Sequence, residues 1–175
     1  MGSWAPTVRE ADTSDLPAIA AVRAVTWQVA YAGLMPEEVL APLTEPDRLA
    51  TWAEAFATAQ HARRLVAESA TTIVGFVAFG GEREATTWRP SGTTGRGEIY
   101  AIYVLPDSWG TGAGSALLHA ALDELVESGY RHVTLWVLEG NHRAIRFYER
   151  HGFVATGASR EPDGLAHEVR YARRL

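Results

Sequence analysis

The sequence predicts an α/β domain built on one mixed β-sheet with helices packed on both faces. Three observations predict it: helical and strand-like stretches alternate along the chain, the 175-residue length suits one domain, and no repeat, low-complexity tract or linker divides it. With 47% hydrophobic and 21% charged residues, the composition is that of an ordinary globular protein with a sizeable core. We therefore expect a single domain over residues 1–175.

Charge, cysteine content and hydropathy exclude several classes of function. The net charge is −5 and there is no basic run, which argues against a nucleic-acid partner and suits a cationic substrate. The absence of cysteine excludes disulfides, thiolate zinc sites and a cysteine nucleophile. The apolar runs are far shorter than the ~20 residues that span a bilayer, and the sequence does not begin with a signal-peptide pattern. We therefore expect no membrane partner and a cytoplasmic location.

The first half of the chain predicts two helices and three strands. Asp12 or Thr13 is suited to cap the first helix, in which apolar residues recur at helical spacing as far as Tyr31. A two-residue turn at Ala70–Thr71 predicts a hairpin between the second and third strands. The predicted strands are 7–11, 64–69 and 72–81, and the predicted helices run from about 12 to 31 and from about 46 to 59.

The second half begins with a segment that lacks any period. Residues 82–95 are polar and contain proline and glycine, which predicts a long loop that serves either as a functional lid or as a disordered connection. Regular patterns resume after it. The predicted strands are 96–106, 132–140, 153–157 and 167–175, and the predicted helices are 112–128 and 141–152.

A glycine-rich turn precedes the third predicted helix, 112–128. The stretch "PDSWGTGAGSALL" at 106–118 places glycines at 110, 112 and 114. Glycine costs about 1 kcal/mol inside a helix, whereas bare amide groups at a helix start can hold a phosphate. A P-loop would need Lys-Ser/Thr directly after Gly114, where this chain has Ser115-Ala116. A dinucleotide-binding fingerprint would need glycine at position 115, where this chain has serine. Both of those nucleotide sites are therefore excluded.

The order of predicted elements, β-α-α-β-β-β-α-β-α-β-β, resembles the GCN5-related N-acetyltransferase (GNAT) superfamily. Its phosphate loop, Gln/Arg-x-x-Gly-x-Gly/Ala, is matched at 109–114, with Trp109 in place of the usual Gln or Arg. A second block, "NHRAIRFYERHGF" at 141–153, is similar to the family's Asn-x-x-Ala-x-x-x-Tyr-x-x-x-Gly-Phe segment. The resemblance implies a twisted mixed sheet of six to seven strands, flanked by about four helices and splayed between strands four and five.

The resemblance also implies acetyl-CoA as cosubstrate. Its pantetheine arm would lie along strand four, and its pyrophosphate would meet backbone amides at the start of the following helix. Because those contacts use the backbone, Trp109 should weaken binding little. The residues implied in binding acetyl-CoA are Ile102, Tyr103, Val104, Trp109, Gly110, Thr111, Gly112, Ala113, Gly114, Ser115, Asn141, Ala144 and Tyr148.

Two residues are candidates for catalysis. Tyr148 occupies the position where the family uses a tyrosine to protonate the departing thiolate, although a tyrosine in that setting can also simply fill the core. Glu98 lies eleven residues before Trp109, where several branches of the family place a glutamate that acts as general base. Alternatively, Glu98 is a solvent-facing strand residue, and an ordered water acts as the base.

The acceptor implied by the resemblance is a small-molecule or peptide amine, with a homodimer left open. Its pocket would involve Trp27, Tyr31 and Trp136, with Tyr103 and Trp88 as further walls and with Glu82, Glu84 and Glu98 near them; core packing is the alternative for Trp27. The six histidines show no metal-ligand spacing, so we expect no metal site. Three functions are compatible with these features: an N-acetyltransferase acting by direct transfer, an acyl-CoA-binding or regulatory module without turnover, and an unrelated nucleotide-binding protein.

Overall fold

The computed structural model describes residues 6–59, 62–83, 95–164 and 166–175. These residues form a seven-stranded sheet in the order β1-β2-β3-β4-β5-β7-β6, in which only β4 and β5 are parallel neighbours. Most of the predicted loop 82–95 lies outside the described residues, together with Glu84 and Trp88. The strands are β1 Thr7–Glu10, β2 Arg63–Ser69, β3 Thr72–Gly81, β4 Arg96–Val104, β5 His132–Leu138, β6 Val154–Arg160 and β7 Glu168–Arg174.

Helices flank the sheet as the sequence predicts, with one addition. The added helix has four residues and follows Pro36, and so short an element leaves no periodicity to detect. Asp12, rather than Thr13, provides the cap at the start of the first helical segment, since its carboxylate accepts from the backbone of Ser14. The helices are α1 Leu16–Ala30, α2 Glu37–Leu40, α3 Pro46–Thr58, α4 Ala113–Glu127 and α5 His142–Arg150.

Two hydrophobic layers hold these helices against opposite faces of the sheet. On one face, Ile19 and Val22 of α1 pack on Phe76 of β3, with Trp52 and Phe56 of α3 beside them. On the other face, α4 and α5 cover a larger core. The buried side chains of that second core include Val77, Phe79, Ile99, Leu117, Leu118, Leu125, Val133, Leu135, Tyr148 and Phe153. The fold class predicted from the sequence is therefore confirmed.

The sheet opens in its middle. The parallel pairing of β4 with β5 runs from Arg96↔His132 only to Ile99↔Leu135, although both strands continue beyond it. A β-bulge lies next to this point, because Ala78 of β3 pairs with Ala101 while its neighbour Phe79 pairs with Ile99. A bulge bends its strand and increases the local twist. The strands separate here, as the resemblance implies, and leave a cleft between them.

The end of α5 is fixed by a capping motif. Gly152 has φ +81°, its N–H donates to the carbonyl of Glu149, and the N–H of Phe153 donates to the carbonyl of Tyr148. This pair of bonds is a Schellman motif, for which the left-handed residue is usually glycine. The buried ring of Phe153 then packs beside that of Tyr148 with centroids 5.8 Å apart. The motif thereby fixes the turn of helix that carries Tyr148.

Gly152→Ala should lower the free energy of unfolding by about 1–2 kcal/mol, because the added Cβ strains a left-handed backbone. Urea unfolding measures the change. Gly114→Ala is the matched control: its backbone is helical and its Cβ would make only ordinary contacts, the nearest 3.5 Å from Phe147. That control should be neutral or stabilising by up to about 1 kcal/mol. Equal destabilisation of both variants would contradict the role given to Gly152.

Candidate active site

A cavity of about 710 Å³ occupies the cleft between β4 and β5. We call the part near Trp109, Gly110, Gly112 and Arg143 its loop end. The part near Trp27, Tyr31, Tyr103 and Trp136 is its aromatic end. Residues singled out from the sequence that line the cavity are Trp27, Tyr31, Ile102, Tyr103, Val104, Trp109, Gly110, Gly112, Gly114, Ser115, Trp136, Asn141, Ala144 and Tyr148. Those described residues that do not line it are Glu82, Glu98, Thr111 and Ala113.

One edge of β4 faces this cavity with its backbone. Leu105 donates to β3, and since alternate residues of a strand direct their N–H and C=O groups to opposite sides, those of Val104 and Ile102 point toward the cleft. The carbonyl of Val104 already accepts from the Trp109 indole at 2.6 Å and from the Thr26 hydroxyl at 3.2 Å. The indole therefore satisfies a backbone acceptor, a role that the sequence comparison with Gln or Arg did not reveal.

The glycine loop turns through left-handed backbone at two of its three glycines. Gly110 has φ +77° and Gly112 has φ +98°, and no atom lies within 4 Å of a Cβ built at either position. Gly112 also caps α4, so the amides that open the helix face the loop end of the cavity. Gly114 lies within the first turn of the helix. Left-handed backbone explains why glycine occupies positions 110 and 112. Gly114 instead lies close to Phe147 of α5.

Two residues implied in binding have other roles in the loop. Ala113 is fully buried in the core, and the Thr111 hydroxyl donates to the carbonyl of Ser108 at 2.7 Å. Ser115 lines the cavity and lies 3.1 Å from Nε2 of His151, whose Nδ1 lies 2.7 Å from the carbonyl of Phe147. A carbonyl only accepts, so Nδ1 of His151 donates to Phe147, and Nε2 lies within hydrogen-bond distance of the Ser115 hydroxyl.

Cationic side chains surround the loop end, and the sequence analysis did not identify them. The guanidinium of Arg143 stacks on the ring of Trp109 at 3.2 Å from its centroid, and Arg150 also lines the cavity. Burial lowers the pKa of Arg143 from its usual value, which still leaves an arginine charged. Both belong to α5, the helix begun by Asn141, whose side chain accepts from the backbone of Ala144. An anion bound at the loop end would therefore contact both backbone amides and positively charged side chains.

Tyr148 contributes a hydroxyl to the middle of the cavity. Its side chain is 7% exposed and packs against Phe147 and Phe153. Burial raises the pKa of Tyr148 well above its ordinary value, with a smaller contribution from the nearby Tyr103. Among the residues that the structure describes, none forms a hydrogen bond with this hydroxyl. Tyr148 therefore presents an O–H that stays protonated across the physiological range.

Two more tyrosines, Tyr31 and Tyr103, lie at the aromatic end of the cavity. The hydroxyls of Tyr31 and Tyr103 lie 3.4 Å apart, and the ring of Trp27 packs edge-on against both rings. Burial is the main cause that raises the pKa of Tyr31 well above its usual value. Trp27 both packs and lines the cavity, so its two predicted roles coexist. This end offers apolar rings with a few hydroxyl donors between them.

Glu98 lies apart from the cavity lining. Its side chain is 2% exposed, and its carboxylate accepts from the backbone N–H of Arg83 at 2.9 Å and from Nη2 of that arginine at 2.6 Å. Arg83 lines the cavity and packs over the ring of Tyr100. Burial, with the charge of Glu98, raises the pKa of Tyr100 to about 12. Glu98 thus positions Arg83, and its role as a base stays a prediction.

A carboxylate that the sequence analysis did not single out lies at the aromatic end. Glu168, the first residue of β7, lines the cavity and accepts from Nε of Arg160 at 2.7 Å. The guanidinium of Arg160 packs over the ring of Trp136 at 4.3 Å from its centroid. The alternation of β7 was visible in the sequence, but its partner across the sheet was not.

Further searches of the described residues found no metal centre and no membrane span. No group of three or more His, Cys, Asp or Glu side chains in those ranges is arranged to hold a metal ion. None of the helices described is both long and apolar enough to cross a bilayer.

Comparison with known proteins gives a consistent result. The model of the acetyltransferase (GNAT) family matches residues 27–153. Among curated proteins, the chain is 29% identical to the uncharacterized N-acetyltransferase YuaI of Bacillus subtilis, over 82% of this chain and 77% of that protein. It is 38% identical to the mycothiol acetyltransferase of Geodermatophilus obscurus over 45% of this chain. The matched segment covers only 28% of that longer relative.

Solved structures resemble it along nearly the whole chain. The PaiA N-acetyltransferase from Thermoplasma acidophilum, in complex with coenzyme A, superimposes with a TM-score of 0.73 at 19% identity. The match covers 98% of this chain and 99% of that one. At this identity the likeness concerns the fold alone.

Gly112→Val should lower affinity for coenzyme A at least about tenfold, equivalent to about 1.4 kcal/mol, because valine disfavours φ +98° and places methyl groups at the loop end. Trp109→Gln should change it far less, since glutamine restores the family residue and its amide can still donate to Val104. Calorimetric titration with coenzyme A measures both. Wild-type affinity in a folded Gly112→Val protein would refute the phosphate-binding role of the loop.

Proposed function

The chain belongs to the acetyltransferase (GNAT) family, and from this premise we propose that it transfers the acetyl group of acetyl-CoA to a primary amine within a ternary complex. The observation that carries the proposal is one continuous cavity with three features in sequence: a glycine loop at a helix start, an unpaired edge of β4, and the Tyr148 hydroxyl. Each feature suits one part of an acyl-CoA. Together they leave the aromatic end for the acceptor.

The cosubstrate would be bound mainly by backbone. The amides from Gly110 to Ser115 meet the pyrophosphate at the positive end of α4, with the charges of Arg143 and Arg150 close to it. The pantetheine amides pair with the free groups of Ile102 and with the N–H of Val104, as an added strand would. The arm thereby fills the gap between β4 and β5 and delivers the thioester to the middle of the cavity.

The chemical step is nucleophilic attack without a covalent enzyme intermediate. The lone pair of the neutral amine forms a C–N bond at the thioester carbonyl, and the resulting oxyanion is stabilised by a backbone N–H of β4. When the carbonyl re-forms, the C–S bond breaks and its electron pair goes to sulfur. The thiolate takes the Tyr148 proton, and the proton released from nitrogen returns to Tyr148 and restores its hydroxyl.

Burial keeps the Tyr148 hydroxyl protonated before the reaction, while the raised pKa also makes it a weaker acid. Because its pKa is raised, the hydroxyl keeps its proton until a thiolate develops beside it. The ring is fixed by the capping motif of α5 and by contact with Phe153, so that the O–H is positioned before the reaction. A hydroxyl positioned in this way would contribute about 10²–10⁴-fold to the rate.

Release of free coenzyme A with a panel of primary amines tests the proposal. Turnover with at least one amine is expected, together with thermal stabilisation by coenzyme A but not by ATP or NAD. Stabilisation by coenzyme A without turnover on a broad panel would indicate an acyl-CoA-binding module. Stabilisation by ATP or NAD alone would indicate a different nucleotide-binding protein.

Tyr148→Phe should lower turnover about 10²-fold or more while stability and coenzyme A affinity stay near wild type, because only the hydroxyl is lost. The measurement is the steady-state rate where acyl transfer limits it. The loss should shrink with an acyl donor whose thiol is more acidic, since that leaving group needs less protonation. A wild-type rate would remove Tyr148 from the mechanism, and an equal loss with every donor would limit it to positioning.

A further inference from the structure

We infer that Glu168 forms the acceptor subsite, where its carboxylate binds the ammonium group of a cationic primary amine and receives the proton that must leave before attack. The inference rests on the proposed function and adds the class of acceptor and the residue that selects it. It differs from the expectation for Glu98, which the family resemblance suggested.

Position is the first argument. Among the described residues, Glu168 is the only carboxylate that lines the cavity. It begins β7, opposite Leu138 on β5 and Arg160 on β6, so the sheet fixes its backbone on two sides. Glu98 is buried, is absent from the cavity lining and is ion-paired with Arg83. An acceptor in the cavity would therefore meet Glu168 and not Glu98.

The ion pair with Arg160 is the second argument. Oε2 of Glu168 accepts from Nε of Arg160 at 2.7 Å, and the carboxylate is 20% exposed. The bond to Arg160 holds the Glu168 side chain in one orientation. Within the described residues, no hydrogen bond reaches Oε1. One oxygen therefore orients the group while the other can take the acceptor.

The surroundings are the third argument. The rings of Tyr31 and Tyr103 line the same end of the cavity, and aromatic rings attract an ammonium group through their faces, whereas the ring of Trp136 already packs against Arg160. Glu168 is close enough to Tyr31 to contribute to raising the pKa of that hydroxyl. Tyr31 in turn contacts Tyr103, which lies near Tyr148. Glu168 and Tyr148 thus both lie near the pair formed by Tyr31 and Tyr103.

The proton balance of the reaction is complete with these two residues. The acceptor enters as R–NH₃⁺, and Glu168 takes one proton and passes it to solvent. The neutral R–NH₂ attacks, Tyr148 gives its proton to the departing thiolate, and the second proton lost from nitrogen restores the Tyr148 hydroxyl. The products are the acetylated amine, coenzyme A as thiol, and one proton in solution.

The test compares amines that differ in charge but little in size. Benzylamine is an ammonium ion at neutral pH, whereas aniline is neutral; both are included in the wider amine panel. Wild type should prefer cationic amines. Glu168→Gln should lower kcat/KM for the best cationic acceptor about 10²-fold or more, and should affect neutral arylamines less than about threefold.

Three further variants make the comparison specific. Glu168→Asp keeps the charge and should recover part of the loss. Glu161→Gln removes a nearby carboxylate whose side chain is 68% exposed and lies outside the cavity lining, and it should act as wild type. Glu98→Gln should lose less activity than Glu168→Gln. Coenzyme A affinity and urea unfolding of each variant are measured alongside.

Each outcome has a defined meaning. Preference of wild type for neutral arylamines, an activity of Glu168→Gln within threefold of wild type, or a larger loss in Glu98→Gln would overturn this inference while leaving acetyl transfer intact. Loss of coenzyme A affinity in Glu168→Gln would also overturn it, because the residue would then support the cavity as a whole. Absence of turnover with any amine would overturn the proposed function itself.

Discussion

The structure depends on an interruption of backbone pairing in the centre of its sheet. After Ile99 and Leu135 the two parallel strands part, and the edge of β4 faces a cavity instead of a neighbouring strand. An unmet backbone group that is removed from water costs about 1–3 kcal/mol, so such an edge is stable only if water or a ligand satisfies it. In the proposed function, the cleft binds its cosubstrate because it lacks a piece of sheet that an extended amide-bearing molecule can supply.

The rest of the molecule keeps this gap open. Helices on both faces bury apolar side chains against β3 and β4, and close packing there prevents the strands from moving together. The bulge opposite Ala78 bends β4 away, and the Trp109 indole occupies the Val104 carbonyl at the end of the strand. The two packed cores therefore surround a gap in which only a short stretch of β4 has unpaired backbone groups.

Local signals in the sequence predicted most of the fold, because strands, caps and glycine turns are determined by neighbouring residues. Asn141, Gly112 and Gly152 each have the capping role or left-handed geometry typical of their residue type. Contacts between distant residues were not predictable in the same way. Arg83 with Glu98, and Arg160 with Glu168, meet only through strand pairing, so the site's charges could not be assigned from the chain alone.

The glycine loop presents its amides without relying on the side chains between them, and this has an evolutionary consequence. Positions 109 and 111 can exchange residues while the amides stay in place, as the tryptophan at 109 illustrates. The aromatic end, in contrast, is formed by side chains, so a single substitution at Trp136 or Glu168 changes what it can bind. The loop end therefore tolerates exchange at these two positions but not at its left-handed glycines, and the aromatic end is the part on which selection for new acceptors can act.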